Sequence, residues 1–520
     1  MNSGNGTEKI VRAISTIVLL VLIAPATVWP QTTDKKKPAP APAATKSTAP
    51  PQTKAPAPVH PGGPVPPNTA NHPPQPGVKP PAPSNPNGPA PAAANKPAPE
   101  VKREQLPGGG TSFTHPDGRH WEVGKTGQVT HFSKPGMEAR FGDNGKLSSA
   151  HIIRPDHSEI TVSRTARGER RVEVMRPDHS RLVSVGPNRG YLERPLSTRP
   201  GFVERTYVVG GRSEVRVYRT FSYHNVVYYR YVPAVYYQPG FYAWAYNPWP
   251  PQVAYGWGWG GARWYGFYGG YFEPAPVYPT ATLWLTDYLL AENLKLAYDS
   301  RQTASSPADA PPSAAPAPVQ QGEQNSSFPL TPEVKQMIAE EVKQQLAAEQ
   351  AISGQTPSPQ PTGGAVDEAP PALDPRQRVF VISSTLDVAA AGQTCALTPG
   401  DIILRTDDTA ADGNTVGVSV LNSKAGDCPV NSSAKIEVVA LQEMHNQFRE
   451  KIASGLTLLA DNQGKSGLPA GPAPGARQVR EGQAAPDLNV DKALLAQQQD
   501  ANQIEAEARQ AAASAQGTAN

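Results

Sequence analysis

The sequence predicts a mixed, β-rich chain in which an antiparallel β-hairpin repeat, or meander, and a small α+β domain are joined by long disordered linkers and accompanied by isolated helices. Three observations predict this class. Proline-led turns recur every 19 to 23 residues through residues 113–223. Proline and glycine, 59 and 45 of 520 residues, concentrate in segments that lack aliphatic side chains. Alternating apolar residues return between residues 378 and 438.

The first 26 residues have the pattern of a secretory signal peptide. An apolar run at residues 13–24 follows the charged residues Glu8, Lys9 and Arg12, and small residues surround a cleavage site after Ala26. An uncleaved membrane anchor is the alternative, but the run is shorter than the roughly 20 residues that a span needs. We therefore expect an extracytoplasmic protein, periplasmic, surface-bound or secreted, with no membrane span after cleavage.

Three segments are expected to be disordered: residues 27–105, 303–330 and 353–374. They are rich in proline and alanine and bury too little apolar surface to offset their conformational entropy. The first is a Pro/Ala/Lys-rich spacer. In a polyproline II conformation it would reach at most about 230 Å.

Residues 106–223 are predicted to form the hairpin repeat. Each turn contains a proline, and each is followed by a strand, a glycine-containing turn and a second strand; the prolines are Pro116, Pro135, Pro155, Pro177 and Pro200. This pattern predicts a meander of about ten strands. The segment RFGDNGKL from Arg140 to Leu147 resembles one unit of the tyrosine-aspartate repeats of secreted shell and adhesin proteins, which implies a β-repeat scaffold.

Arginine dominates the charge of this repeat. Thirteen arginines and six acidic residues lie between Arg164 and Arg219. Two interpretations remain open: a face that binds an anionic envelope polymer, or a solvated face with cross-strand pairs such as Glu169 with Arg170 and Glu173 with Arg176. The net charge of +3 is too small for this length to indicate nucleic-acid binding.

Residues 224–302 form a Tyr/Trp/Gly-rich extension that ends in a predicted helix. Flat aromatic faces can stack on sugar rings, so this extension is the candidate polysaccharide-binding surface. The alternative is that the rings fill an irregular core or mediate self-association. The candidate binding residues are Trp244, Trp249, Trp257, Trp259, Arg263, Trp264 and Tyr265.

Residues 331–352 are predicted to form an amphipathic helix. Thr331, Pro332 and Glu333 supply an N-cap, an N1 proline and an early acid. Apolar residues recur every four positions, a narrow stripe suited to a protein partner or to docking on a domain of the same chain; they are Val334, Ile338, Val342 and Leu346.

Residues 375–464 are predicted to form the small α+β domain with a C-terminal helix, and residues 465–520 a polar, partly helical tail. The segment from Leu397 to Leu404 reads LTPGDIIL, and Gly426-Asp427 follows at the expected opening of a later strand. This order resembles a PDZ domain, which implies peptide binding. The carboxylate-binding loop and the groove helix of that family have no counterpart here.

Cys395 and Cys428 are the only cysteines and lie within this domain. In an oxidising compartment they are expected to pair, although two reduced thiols are the alternative.

No catalytic motif occurs with its required spacing, so we expect neither an enzyme nor a cofactor. His115, Asp117 and His120, echoed by Asp156-His157 and Asp178-His179, combine metal-ligand types, but Pro-Asp favours a hairpin turn. We therefore predict no metal site.

The order of the segments resembles exported bacterial proteins of unknown function. The function expected is a non-enzymatic cell-envelope or secreted scaffold that contacts polysaccharide or another anionic polymer through aromatic and arginine-rich surfaces. The alternative is a peptide-binding adaptor that acts through the PDZ-like domain.

Overall fold

The structure is a computed structural model that describes residues 101–165, 167–186, 189–209, 212–304, 329–354, 368–390, 392–408 and 413–519. The predicted signal peptide, residues 27–100 of the predicted spacer, and most of the two predicted linkers lie outside these residues. Six α-helices are present in the described part: α1 (Pro239–Tyr246), α2 (Arg263–Tyr268), α3 (Ala281–Ala304), α4 (Pro332–Ser353), α5 (Val438–Asn462) and α6 (Val490–Ala519).

A single antiparallel sheet of thirteen strands, here called the meander, occupies residues 102–232. Each strand pairs with the next one along the chain. The strands are β1 (Lys102–Gln105), β2 (Thr111–Thr114), β3 (His120–Val123), β4 (Val129–Lys134), β5 (Met137–Phe141), β6 (Leu147–Ile153), β7 (Glu159–Arg164), β8 (Arg170–Met175), β9 (Arg181–Ser184), β10 (Arg189–Pro195), β11 (Phe202–Val209), β12 (Arg212–Tyr223) and β13 (Val226–Val232). The predicted meander is confirmed. It has more strands than expected and extends into the segments predicted as spacer and as aromatic extension.

Proline-aspartate loops close several of its hairpins. The carbonyl oxygen of Arg154 accepts a hydrogen bond from the N–H of His157, 2.9 Å away, and Asp156 Oδ1 accepts from the Ser158 N–H at 3.0 Å. His157 has a φ of 64°, and His179 takes the same position in the next such loop with a φ of 61°. This is a type I turn followed by a left-handed residue, the connection that suits the twist of a hairpin.

One face of the meander packs against α6. The buried residues of the sheet include Phe113, Trp121, Phe132, Val162, Val172 and Leu182, and those of α6 include Leu494, Ala501, Ile504 and Ala508. Gly190 permits this approach, since a Cβ there would lie 2.7 Å from Leu494 Cδ2. The prediction that residues 465–520 form a polar tail is therefore wrong for α6, which completes a core.

A second core contains the aromatic extension together with α3, α4 and α5. Its buried aromatic residues are Tyr236, Tyr237, Phe241, Tyr242, Trp249, Trp264, Tyr268, Tyr271, Phe272, Tyr278 and Trp284. The predicted apolar stripe of α4 packs into this core, with Ile338, Val342 and Leu346 fully buried. The expectation of isolated helices is thus wrong for α4: its stripe docks on the same chain.

The C-terminal domain contains a six-stranded antiparallel sheet. Its strands are β15 (Val379–Val381), β16 (Leu386–Ala390), β17 (Gln393–Leu397), β18 (Ile402–Arg405), β19 (Thr415–Asn422) and β20 (Ser433–Glu437). A separate two-stranded sheet pairs β14 (Val235–Tyr236) with β21 (Arg477–Gln478). The order across the sheet is β15-β18-β19-β20-β16-β17. Gly426-Asp427 lies in a turn before β20 rather than at the start of a strand, and a PDZ fold is not confirmed.

The predicted disulfide is confirmed. Cys395 of β17 is bonded to Cys428 in the loop before β20, with the two Cα atoms 5.0 Å apart. The Cys428 N–H also donates to the carbonyl oxygen of Ala396 at 3.0 Å. The bond therefore ties the edge strand β17 to the loop that leads into β20.

Helix α5 covers the outer edge of β13. Asn446 accepts a hydrogen bond from the Tyr231 N–H at 3.0 Å and donates to the Tyr229 carbonyl at 2.9 Å, and Arg449 donates to the Tyr231 carbonyl at 2.9 Å. An uncovered strand edge would offer these backbone groups to another chain. Side chains of α5 therefore end the meander at this side.

None of the helices in the described part of the chain combines the length and the apolar character that a membrane span requires.

Candidate functional site

A group of stacked tryptophans lies where the glycine-rich loop of residues 250–262 meets α3. The ring of Trp257 stacks on Trp284, with centroids 4.7 Å apart, and on Trp259, with centroids 4.3 Å apart. Trp284 is fully buried, whereas Trp257 and Trp259 are half-buried. Trp257 and Trp259 are therefore packed against the buried core and remain partly open to solvent.

A chain of hydrogen bonds fixes the orientation of Trp257. Its indole Nε1–H donates to Tyr278 Oη at 2.7 Å, and the Tyr278 hydroxyl donates to Asp287 Oδ2 at 2.7 Å. Asp287 also pairs with Lys335 of α4 at 2.8 Å. Burial, with the nearby Asp287 carboxylate, raises the pKa of Tyr278, so the hydroxyl stays protonated and remains a donor.

Further aromatic and cationic groups border the two rings. Lys295 Nζ lies 5.9 Å from the ring centroid of Trp259, a cation–π distance. Tyr265 is half-buried with its ring centroid 6.3 Å from that of Trp259. Arg263 and Phe267 are exposed on α2, the helix that also carries Tyr265. We call Trp257, Trp259 and Tyr265 the tryptophan surface.

Most glycines near these rings point into open space. A Cβ added at Gly256, Gly260, Gly261 or Gly266 would meet no heavy atom within 4 Å. Gly258 differs because its φ of 69° requires a residue that tolerates the left-handed region. Backbone conformation therefore accounts for glycine at 258, whereas a side chain at the other four positions would meet no obstruction.

The structure divides the predicted binding residues into two groups. Trp257, Trp259 and Tyr265 come together in the tryptophan surface, whereas Arg263 is exposed at the start of α2. Trp249 and Trp264 are 4% and 8% exposed and belong to the core, and the ring of the half-buried Trp244 lies 5.2 Å from that of Trp249. The core interpretation therefore applies to Trp249 and Trp264, and the binding interpretation stays a prediction for the partly exposed rings.

Lys295, Tyr278 and Asp287 are parts of the site that the sequence analysis missed. Asp287 is the first charged residue of α3, follows a mainly apolar run, and is fully buried. A buried carboxylate needs partners, so its position among apolar residues was a signal of a polar network in the core.

Most arginine side chains between Arg164 and Arg219 make contacts within the chain. Nine of the thirteen arginines pair with a carboxylate: Arg164, Arg167, Arg170, Arg171, Arg181, Arg194, Arg205, Arg216 and Arg219. Two more, Arg189 and Arg199, donate to a serine hydroxyl or to backbone carbonyls. Arg171, Arg181 and Arg216 pair within the meander. The other eight join it to other parts of the chain.

The pairs differ from the two that the sequence suggested. Arg170 pairs with Glu505 of α6 at 3.0 Å, and Glu173 pairs with Arg171 and Arg181. Both expected cross-strand pairs are thus replaced, in the first case by a partner from the far end of the chain.

At the edge strand β15 of the C-terminal sheet, outward-facing backbone N–H groups are hydrogen-bonded to a carboxylate of the same chain. Glu341 of α4 accepts hydrogen bonds from the N–H groups of Arg378 and Val379, at 2.9 and 3.1 Å. Free backbone donors at a strand edge are what a bound peptide would use. At this end of β15 the donors are already satisfied by the chain itself.

The metal-ligand types that the sequence brought to notice, His115, Asp117 and His120, do not converge. His115 Nδ1 lies 2.7 Å from Asp117 Oδ1 within one turn, whereas His120 Nε2 lies 3.6 Å from Glu122 Oε1. In the described residues, the set of metal-ligand types with mutually close atoms is His120, Glu122 and His131.

No protein-family model matches the chain, no curated protein matches it, and no solved structure matches it. The resemblances to PDZ domains and to tyrosine-aspartate repeats therefore rest on the quoted residues alone.

Proposed function

We propose that the protein is a non-enzymatic scaffold of the cell envelope, or a secreted one, that binds polysaccharide through the tryptophan surface. One observation carries the proposal: Trp257 and Trp259 are partly exposed although both are stacked and Trp257 is hydrogen-bonded to a buried network. Rings held in this way need little further ordering when a ligand stacks on them.

The chemistry of the surface favours sugar rings. The apolar faces of pyranoses stack on indole rings, and neighbouring hydroxyls accept hydrogen bonds from cationic groups such as Arg263 and Lys295. Since most arginines of the meander are paired within the chain, the proposal relies on ring stacking and not on attraction to a polyanion.

The remaining features fit a scaffold outside the cytoplasm. The Cys395–Cys428 disulfide and the lack of a membrane-spanning helix in the described part of the chain are compatible with that location. The meander, covered by α6 on one face, gives a long support on which the tryptophan surface is mounted.

The test is retention on peptidoglycan sacculi together with calorimetric titration by N-acetylglucosamine oligomers. Trp259→Ala is expected to weaken binding about tenfold or more, since one stacking ring contributes about 1 to 3 kcal/mol. Trp244→Ala is the matched control, because Trp244 is equally half-buried in the same core and lies off the surface.

Wild-type protein that binds neither ligand would contradict the proposal. Equal loss in Trp259→Ala and Trp244→Ala would also contradict it, since the effect would then follow from loss of core packing.

A further inference from the structure

A second group of side chains lies on the open face of the meander, opposite the face that packs on α6. His120 and Glu122 are two residues apart on β3 and so project to the same side. Glu122 lies directly across from His131 of β4 in the strand register. The ligand atoms of the three side chains all lie within 4.8 Å of one another.

The distances are close to those of a coordination sphere. Zinc ligands lie about 2.0 to 2.2 Å from the ion, so two ligand atoms of a tetrahedral site are about 3.4 Å apart. His120 Nε2 and Glu122 Oε1 are 3.6 Å apart. The side chains of all three residues are partly exposed, so the remaining distances can close by side-chain rotation without moving the strands.

Neighbouring groups orient the ligands. Thr114 Oγ1 lies 3.2 Å from His120 Nδ1, which leaves Nε2 of that ring directed at the cluster. Such a bond to the second ring nitrogen is the usual support of a metal-bound histidine. Glu138 Oε1 of β5 lies 3.3 Å from His131 Nε2 and is held in place by Arg140 at 2.9 Å. Glu138 therefore orients the His131 ring, as a carboxylate bonded to a metal-binding histidine commonly does.

We propose that His120, Glu122 and His131, with Glu138 bonded to His131, form a binding site for a divalent transition-metal ion such as Zn²⁺. Two imidazoles with a carboxylate suit zinc, copper and nickel ions better than calcium or magnesium ions. Of the three residues that the sequence brought to notice, His120 belongs to this site, whereas His115 and Asp117 pair within a turn. A bound ion would join β3 and β4 through side chains, in addition to their backbone hydrogen bonds.

Zinc binding is measured by calorimetric titration of the full chain with ZnCl₂ and by competition against a chromophoric chelator. The wild type should bind one ion that the double variant His120→Asn/His131→Asn fails to bind, and Glu138→Gln should lower affinity about tenfold. His151→Asn is the matched control. It changes a half-buried histidine on the same face that bonds to Thr161 at 3.1 Å and should leave binding unchanged.

Thermal unfolding separates binding from folding. Without zinc, the double variant should melt at the wild-type temperature, and added zinc should raise the melting temperature of the wild type alone. If the double variant melts at a lower temperature than the wild type without zinc, the experiment is repeated with Glu122→Gln. That variant should also fail to bind zinc. Zinc binding that is equal in the wild type and in these variants would overturn the proposal, as would a wild type that binds no zinc.

Discussion

Replacing Glu505 with glutamine should loosen α6 from the meander. The Glu505 side chain is 4% exposed, and its two oxygens lie 2.9 and 3.1 Å from Arg164 Nη2 and one of them 3.0 Å from Arg170 Nε. Glutamine keeps the volume and removes the charge, so Arg164 and Arg170 lose this carboxylate partner in a site with little solvent. Arg509, which is 51% exposed, loses it at the surface.

The expected loss of stability depends on how deeply the Glu505 ion pairs are buried. Breaking a fully buried ion pair destabilises a protein by about 3 to 5 kcal/mol. Because the two arginines remain 17% and 18% exposed, water screens part of the loss, and we expect about 2 to 3 kcal/mol. Glu507→Gln is the matched control on the same helix. Its pair with Lys134 is 51% and 34% exposed, so its loss should change stability by at most about 1 kcal/mol.

Amide hydrogen exchange of α6 measures this effect directly, because it reports the free energy of local opening. Glu505→Gln should lower the protection factors of α6 by roughly thirty- to hundredfold, and Glu507→Gln by no more than about fivefold. Equal protection in both variants, whether reduced or unchanged, would refute the assignment of Glu505 as the residue that holds α6.

Three further predictions concern the C-terminal domain, the aromatic core and the buried Glu450 of α5. Cys395→Ser with Cys428→Ser should destabilise the C-terminal domain by about 3 to 4 kcal/mol, measured by urea unfolding, because the bond closes a loop with a sequence separation of 33. Ile338→Ala should destabilise the aromatic core by about 2 to 5 kcal/mol, whereas Met337→Ala, at a position 36% exposed, should change thermal stability little. Burial raises the pKa of Glu450 from 4.5 to about 7, so its contribution to stability is present below pH 4.5 and is lost as the pH rises through about 7. The stability of Glu450→Gln relative to the wild type should therefore increase between pH 5 and pH 8, and a constant difference would contradict this assignment.

The local elements of the fold follow from local sequence signals. Proline-aspartate turns at a regular spacing and alternating apolar residues predict the meander, and the cap at Thr331 predicts α4, where the Thr331 hydroxyl accepts from the Val334 N–H. These signals act within a few residues, so composition and spacing are sufficient to read them.

The long-range contacts do not follow from such signals. Helix α6 buries mainly alanines, which allow close approach to the sheet but give the segment the composition of a polar tail. The carboxylate partner of Arg164 is 341 residues away, so no local pattern links the two.

The aromatic extension shows the same limit at the candidate site. Trp257 and Trp264 lie in the same Tyr/Trp/Gly-rich segment, yet the fold buries Trp264 and leaves Trp257 half-buried. Composition indicated a binding or core role for the whole segment. Only the packing of other elements against it determines which rings are buried and which stay partly exposed.

Polysaccharide binding by the tryptophan surface is tested most directly by fluorine NMR of the full chain labelled with 5-fluorotryptophan. Each resonance is assigned by a tryptophan-to-phenylalanine variant, and the protein is titrated with N-acetylglucosamine oligomers. The resonances of Trp257 and Trp259 should shift in a saturable way, while those of the buried Trp249 and Trp264 stay in place. Resonances of Trp257 and Trp259 that do not move while the protein is retained on sacculi would contradict the proposed surface.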